Sequence, residues 1–253
     1  LRIGDPAERV ARLGPLLADP IRAVRLDSAA ALAGTPPDLL KPYQREALEK
    51  GIAEYEKAME YSLDFASAAH NLGNLYARMG DAAKAEAAYR RALAVDDLFF
   101  PAKANLAVLL SRQGKNAEAE KLLREILAAY PANADAAYSL GLLVAEKGEF
   151  AEAASLLARA AAGMPGEARV HYNAGLALAR AGRDAESEKA LRRAVELEPA
   201  SVDLLFALGD FQLRRGRFAE AQACAERILA AHPEDGNARA LKSLAASRTL
   251  PPR

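Results

Sequence analysis

A glycine that recurs every 34 residues constrains this chain more than any other feature of its sequence. The series consists of Gly80, Gly114, Gly148, Gly182 and Gly216. Prolines repeat at the same interval, at Pro131, Pro165, Pro199 and Pro233. Five units of 34 residues therefore run without insertion from Ala66 to Asp235, which is 170 of 253 residues. Periods of this length are typical of chains that stack copies of one supersecondary unit.

Each unit has the pattern of two helices. In the third unit, Leu140, Leu143 and Val144 follow helical spacing and precede a glycine, a residue that readily adopts the left-handed conformation ending a helix. Phe150 and Leu157 then share one face of a second helix, which stops before a proline that cannot continue it. Small residues occupy the eighth position of the units, at Gly73, Ala107, Gly141, Gly175 and Gly209. They predict close contact between the two helices of a hairpin.

This pattern resembles the tetratricopeptide repeat family. The segments that show it are "NLGNLYARMGDAAKAEAAYRRALAVDD", "YSLGLLVAEKGEFAEAASLLARAAAGMP" and "YNAGLALARAGRDAESEKALRRAVELEP". The resemblance implies an all-α fold, a right-handed superhelical solenoid of antiparallel helix pairs. The expected units are 66–99, 100–133, 134–167, 168–201 and 202–235.

The flanking segments depart from the repeat. Residues 1–37 pair two short amphipathic segments around Asp19-Pro20 and resemble a HEAT-type helix pair. Residues 38–65 have helical spacing without a glycine-proline break, which predicts one long helix of a degenerate first repeat, with Asp38 as its N-cap. Residues 236–253 predict a capping helix followed by a frayed tail, because the outer apolar face of a solenoid needs a cover.

The order of these segments is similar to the C-terminal parts of bacterial multihaem cytochromes. That resemblance implies a periplasmic parent; without it, a cytoplasmic location is expected. No CxxCH motif for haem attachment is present in the sequence. The chain begins at Leu1 and its first methionine is Met59, so we expect it to be a piece of a longer protein with further HEAT-like units before it.

Composition excludes several classes of function. The 34 basic residues balance 34 acidic ones, which argues against a partner made of nucleic acid. No apolar run is long enough for membrane insertion. Cys224 is the single cysteine, the three histidines lack metal-ligand spacing, and no phosphate-binding or nucleophile motif occurs. We therefore expect no cofactor, no metal site and no catalytic activity.

The expected function is a noncatalytic scaffold that binds a peptide or helix of a protein partner. Family resemblance implies that the first helices line a concave groove, where certain positions of each unit face the ligand. The candidate groove residues are Asn71, Asn74, Arg78, Asn105, Arg112, Tyr138, Tyr172, Asn173, Arg180, Phe206, Asp210 and Arg214. Asparagine amides can bond an extended peptide backbone, and arginine adds forked donors for carboxylates.

Alternatives remain open at this point. The asparagines and arginines fit a peptide-binding row, but they also fit solvated family residues. Tyr138, Tyr172 and Phe206 form an aromatic strip in the groove or pack against the neighbouring unit.

The "LFF" turn at 98–100 is expected to be buried rather than an exposed patch. The family's carboxylate clamp is not expected, since Asp135 and Ser139 occupy its basic positions. Two further alternatives are the scaffold of an exported electron-transfer protein and a weak homo-oligomerisation module.

Overall fold

The computed structural model describes residues 5–249, and this part of the chain is all-helical. Its α-helices are α1 (Pro6–Leu13), α2 (Arg22–Leu32), α3 (Pro42–Glu60), α4 (Ala66–Met79), α5 (Ala82–Val95), α6 (Phe100–Arg112), α7 (Asn116–Ala129), α8 (Ala134–Glu146), α9 (Phe150–Gly163), α10 (Ala168–Arg180), α11 (Asp184–Leu197), α12 (Val202–Arg214), α13 (Phe218–Ala231) and α14 (Gly236–Ser247). The predicted fold class is confirmed. Residues 1–4 of the segment expected to be HEAT-like and residues 250–253 of the expected tail lie outside the described residues.

The helices form two compact units. Unit 1 extends to Leu122 and unit 2 starts at Leu123, so the division falls inside α7. In unit 1, α4 packs along α5, and in unit 2 α8, α10 and α12 pack along α9, α11 and α13. Short turns join the two helices of each pair, which makes the pairs antiparallel hairpins.

Glycines end the first helix of each hairpin, as the repeat predicts. Their φ angles are positive, at 80° for Gly80, 75° for Gly114, 82° for Gly148, 75° for Gly182 and 73° for Gly216. A Cβ atom placed on any of these five glycines would meet nothing within 4 Å. Glycine is therefore favoured at these turns because of the positive φ angle, and not because a side chain would clash with neighbouring atoms.

The N-terminal helices of unit 1 share one core. Asp5 caps α1, because its carboxylate accepts a hydrogen bond from the Ala7 amide at 3.0 Å. A 3-10 helix, Gly14–Ala18, follows α1 and leads toward α2. The buried residues of this core are Val10, Leu17, Ala29, Leu32, Leu40 and Leu48. They join α1, α2 and the first half of α3.

The long helix starts later than the sequence suggests. A short 3-10 helix, Pro37–Leu39, precedes it, and α3 begins at Pro42 with Lys41 as its N-cap residue. The expectation that Asp38 caps this helix is wrong. Pro42 disfavours helical backbone at the residue before it, and Lys41 is extended with ψ of 155°, so the helix cannot run through this point. The Lys41 amide donates to Gln44 Oε1 at 3.0 Å.

The last hairpin of unit 2 is well packed around a buried polar side chain. Gln212 is only 2% exposed, and its Oε1 accepts a hydrogen bond from Cys224 Sγ at 3.5 Å. Beside it, α14 packs against α12 and α13, where Leu241 and Ala245 are buried with Leu213. This helix therefore covers the apolar side of the last hairpin.

The turn between α5 and α6 is more exposed than expected. Leu98 is 67% exposed and Phe100 is 41% exposed, so the expectation that "LFF" is buried is wrong for these two side chains. Phe99 alone is half-buried, with its ring edge-on to His70 at a centroid distance of 5.5 Å. The turn is only four residues long, which leaves no second element to cover Leu98.

Candidate functional site

A cleft of about 470 Å³ in unit 1 gathers several of the candidate groove residues. Its lining residues come from the facing helices α4 and α6 with one contribution from α5, and they are Asn74, Ala77, Arg78, Tyr89, Asn105, Val108, Leu109 and Arg112. Four of them, Asn74, Arg78, Asn105 and Arg112, were expected from the sequence. The helical spacing of three to four residues within each helix places them along one face.

The end of the cleft is a hydrogen-bonded network in which Asn74, Asn105 and His70 are half-buried and Tyr89 is buried. Asn105 Nδ2 donates to Asn74 Oδ1 at 2.8 Å and lies 3.0 Å from His70 Nε2. Tyr89 donates its hydroxyl proton to the same Asn74 Oδ1 at 2.9 Å. The two asparagine amides are therefore held in place by protein groups, and they present a fixed polar surface.

His70 acts as an acceptor within this network. The Nδ2 atoms of Asn105 and Asn74 face its Nε2 at 3.0 and 3.4 Å, an arrangement that requires an unprotonated nitrogen there. Burial of the ring lowers the pKa of His70 below its ordinary value of 6.5. The burial of the ring and these contacts thus both disfavour protonation of His70 in the folded chain.

The two arginines of the cleft have different roles. Arg78 donates from its guanidinium to the backbone oxygen of Ala30 at 2.7 Å, so it also ties α4 to α2. Arg112 is exposed at the end of α6, and within residues 5–249 it makes no ion pair. Since no acidic side chain lines the cleft, its charge is positive.

Tyr89 is a cleft residue that sequence reasoning missed, because only first helices were expected to face a ligand. A Cβ atom on Gly73 would lie 2.4 Å from the Tyr89 ring, so this glycine is what lets the ring of α5 pass close to α4. The corresponding glycines Gly141 and Gly175 meet Leu157 and Leu191 instead. The sequence signal was a tyrosine at the position where later repeats have a leucine facing the helical glycine.

In unit 2 two candidate residues form a hydrogen-bonded pair, and two others pack against the core. Asn173 Nδ2 donates to the hydroxyl oxygen of Tyr138 at 2.6 Å, with both side chains half-buried. Tyr172 and Phe206 are also half-buried and pack against the hydrophobic core of unit 2. Packing therefore accounts for much of the surface of these two rings, although part of each stays accessible.

The remaining charged candidates in unit 2 have partners of their own. Arg214 Nε donates to Asp210 Oδ2 at 2.8 Å within α12. Arg180 lies over the ring of Phe150, with 5.5 Å between its guanidinium carbon and the ring centroid. Asn71, in unit 1, is half-buried on α4 and does not line the cleft.

A smaller cavity of about 190 Å³ lies at the starts of α10 and α12. Its lining residues are Arg169, Tyr172, Glu198, Ser201, Asp203 and Leu204. Charges of both signs occur there, so this cavity offers less preference for a ligand of one charge than the cleft of unit 1 does.

Other kinds of site find no support in the described part of the chain. No group of three His, Cys, Asp or Glu side chains within residues 5–249 is placed to hold a metal ion. Cys224 is buried, and this burial raises the pKa of its thiol. Of the helices described, none is long and apolar enough to cross a membrane.

The chemistry of the cleft suits an anionic group beside an apolar one. Arginine guanidinium groups bind carboxylates through paired hydrogen bonds, and two of them border the cleft. Val108 is 41% exposed and forms an apolar wall with Leu109 and Ala77. An extended peptide with an acidic side chain has both features.

Known structures resemble the chain over most of its length. YrrB, described as a TPR protein with an unusual peptide-binding site, is 22% identical, with 75% of this chain and 98% of that chain covered and a TM-score of 0.67. MamA of Desulfovibrio magneticus RS-1 is 19% identical, with 68% and 97% covered and a TM-score of 0.59. The Cut9-Hcn1 complex of the APC/C matches at 16% identity and a TM-score of 0.63, covering 96% of this chain and 46% of that chain. These likenesses establish the fold.

Sequence models of known families agree with the structure. No curated protein sequence matches the chain significantly. Tetratricopeptide repeat models match residues 66–98, 104–167, 168–201 and 185–245, together more than half of the chain. The chain belongs to the tetratricopeptide repeat family.

Proposed function

We propose that this protein is a noncatalytic scaffold that binds an extended, acidic segment of a protein partner in the cleft of unit 1. The observation that carries the proposal is the convergence of Asn74, Asn105, Arg78 and Arg112 on one cleft of about 470 Å³. In the proposed organisation, the hairpins of 66–235 are the binding module, and the helices before and after them support it. Protein-interaction scaffolding is the general role that the fold suggests.

The two arginines supply the charge selectivity in this proposal. Arg112 is exposed and unpaired among the described residues, so a ligand carboxylate displaces only water from it. Arg78 keeps its bond to Ala30 through one guanidinium nitrogen and has further N–H groups to offer. Removing Arg112 should therefore weaken binding without disturbing the packing of α2 on α4.

The carboxamide groups of Asn74 and Asn105 are held in one orientation by hydrogen bonds within the protein and do not rotate freely. The Nδ2 group of Asn105 is directed to Asn74 and His70, so its carboxamide is oriented before the ligand arrives. Groups that are ordered in advance lose less conformational entropy on binding. The likeness to YrrB, described as a TPR protein with an unusual peptide-binding site, supports the idea only at the level of architecture, since the identity is 22%.

The test is a selection from a library of random peptides displayed on phage, with the purified full chain as bait. We expect the selected peptides to be enriched in Asp and Glu beside an apolar residue. Synthetic copies should bind the chain in fluorescence anisotropy, and Arg112→Glu should weaken this binding by roughly tenfold or more, the size expected when a charge pair is replaced by repulsion.

Arg91→Glu is the matched control. Arg91 is exposed on α5 of the same unit and lies outside the cleft, so the variant changes net charge by the same amount. Equal weakening by the two variants would show a nonspecific charge effect and would overturn the proposal. Selection of peptides without acidic residues would do the same.

A further inference from the structure

Unit 1 carries exposed aromatic and aliphatic side chains in two neighbouring loops. These loops are 61–65, which joins α3 to α4, and 96–99, which joins α5 to α6. Tyr61 is 94% exposed, Phe65 68% and Leu98 67%. We call the two loops, together with Glu60, the loop edge of unit 1.

The fold places the two loops side by side. Because α4 and α5 form an antiparallel hairpin, the start of α4 at Ala66 lies beside the end of α5 at Val95. The ring of Phe99 lies edge-on to His70 of α4, with 5.5 Å between their centroids, so the start of α6 also lies against the first turns of α4. The two loops therefore lie at the same end of the α4–α5 hairpin, and we treat their exposed side chains as one surface.

This surface is acidic as well as apolar. Glu60, Asp64, Asp96 and Asp97 are all exposed, and neither loop contains a lysine, arginine or histidine. The Asp96 carboxylate accepts a hydrogen bond from the Leu98 amide at 3.0 Å, which holds the second loop in shape. An acidic surface repels nucleic acid and anionic lipid headgroups, and it attracts basic segments.

The loop edge differs from the later repeats at the N-cap positions of its helices, which lack a side-chain cap. The N-cap positions of α4 and α6 are Phe65 and Phe99, and neither side chain caps its helix. Later helices have polar residues at this position, and Asn133 and Asp235 accept hydrogen bonds from backbone amides at 2.8 and 2.7 Å. An exposed phenylalanine such as Phe65 gives up this stabilisation and buries little surface in return. The stability of the fold therefore does not explain a phenylalanine at position 65.

We propose that the loop edge of unit 1 binds a basic amphipathic segment of a protein partner, in which lysines or arginines flank apolar side chains. Tyr61, Phe65 and Leu98 contact the apolar side chains, and the four carboxylates pair with the basic ones. Aromatic side chains are favoured as anchors in protein interfaces. This site is separate from the cleft and prefers the opposite charge, so it does not depend on the proposed function.

The test uses the full chain and a fluorescein-labelled amphipathic peptide of lysine and leucine, with a matched peptide in which glutamate replaces lysine. Fluorescence anisotropy should show binding of the lysine peptide and little binding of the glutamate peptide. Phe65→Asn should weaken binding by roughly tenfold or more. The same variant should keep or raise the Tm, because asparagine is a favoured N-cap residue. Lost binding with an intact fold supports the proposal.

Two control sets complete the test. Tyr43→Ser removes a ring that is 58% exposed on α3, and Glu49→Lys reverses an exposed charge on the same helix, both away from the loop edge. These variants should leave the affinity unchanged, whereas Asp64→Lys with Asp97→Lys should lower it. Equal affinity for both peptides, or equal loss in the controls, would overturn the proposal. Self-association of the chain in sedimentation velocity that Phe65→Asn abolishes would instead identify a second copy as the occupant, and would overturn it too.

Discussion

At the scale of a single residue, His70 makes the hydrogen-bond network of the cleft sensitive to pH. Its Nε2 faces the amide nitrogens of Asn105 and Asn74, and the ring packs between Tyr89 and Phe99. Protonation would place a donor against two donors and would put a charge in a half-buried position. Burial accordingly lowers the pKa of His70 from 6.5.

This arrangement predicts a loss of stability at acidic pH. The unfolded chain binds the His70 proton more readily than the folded chain, so the stabilisation is complete above 6.5 and is lost as pH falls through the folded pKa. The free energy of unfolding, measured with urea at about pH 7 and pH 5, should fall more for the wild type than for His70→Gln. Glu86, whose pKa is lowered from 4.5 by hydrogen bonds from Lys115 and Arg90, titrates below this range. Parallel pH dependence of the two proteins would contradict the prediction.

Individual groove residues show how far sequence reasoning extends at this scale. Family resemblance was enough to expect Asn74, Asn105, Arg78 and Arg112 on one face, and the cleft contains all four. It did not indicate that Arg78 bonds Ala30, a residue 48 positions away. Such a contact depends on how α2 packs against α4, and local periodicity contains no information about it.

At the scale of a helix, capping differs from one repeat to the next. Asn133 caps α8 by accepting a hydrogen bond from the Ala136 amide, whereas Ser201 at the corresponding position of α12 makes no side-chain cap. The repeat gives these two positions the same place in the hairpin, and only the backbone and rotamer decide which one bonds.

The difference predicts unequal effects of the same kind of substitution. Asn133→Ala should lower the free energy of unfolding by about 1 kcal/mol, the usual cost of losing an N-cap bond. Ser201→Ala should cost less than half of that, since no cap bond is lost. Urea denaturation of the two variants beside the wild type measures both values. Equal destabilisation would mean that Asn133 does not act as a cap in solution.

Element boundaries were predictable where backbone chemistry sets them. The glycine period located the ends of α4, α8 and α10 to within a residue or two, because a left-handed residue must follow the helix. The start of α3 was misjudged. Asp38 is a good cap by type, but Pro42 makes the preceding residue extended.

At the scale of the whole molecule, the end of the repeat array requires a cover. Leu241 of α14 is 3% exposed and shares a core with Leu213, Ala221 and Ala225. Gly209 leaves room for it, since a Cβ atom there would lie 2.7 Å from Leu241 Cδ2. Gly209 thus leaves space for a leucine of the capping helix, whereas Gly141 and Gly175 leave space for leucines of their own hairpins.

Truncation of this side chain should destabilise unit 2. Leu241→Ala is expected to lower the free energy of unfolding by about 2–5 kcal/mol, the range for removing a buried leucine side chain. Leu98→Ala is the matched control, because Leu98 is 67% exposed, and it should change stability by less than about 0.5 kcal/mol. Chemical denaturation followed by circular dichroism measures both. Similar values for the two variants would show that α14 does not cover the array.

The sequence alone determined the helical class, the hairpin period and the turns of this protein, because these follow from local backbone preference and from the spacing of apolar residues. Tertiary structure decided the rest: that Tyr89 enters the cleft past Gly73, that burial lowers the pKa of His70 there, and that the "LFF" turn leaves Leu98 exposed. These features depend on the distances between packed helices. Repeat periodicity specifies which faces pack, but the contacts of each side chain are fixed only when neighbouring helices meet.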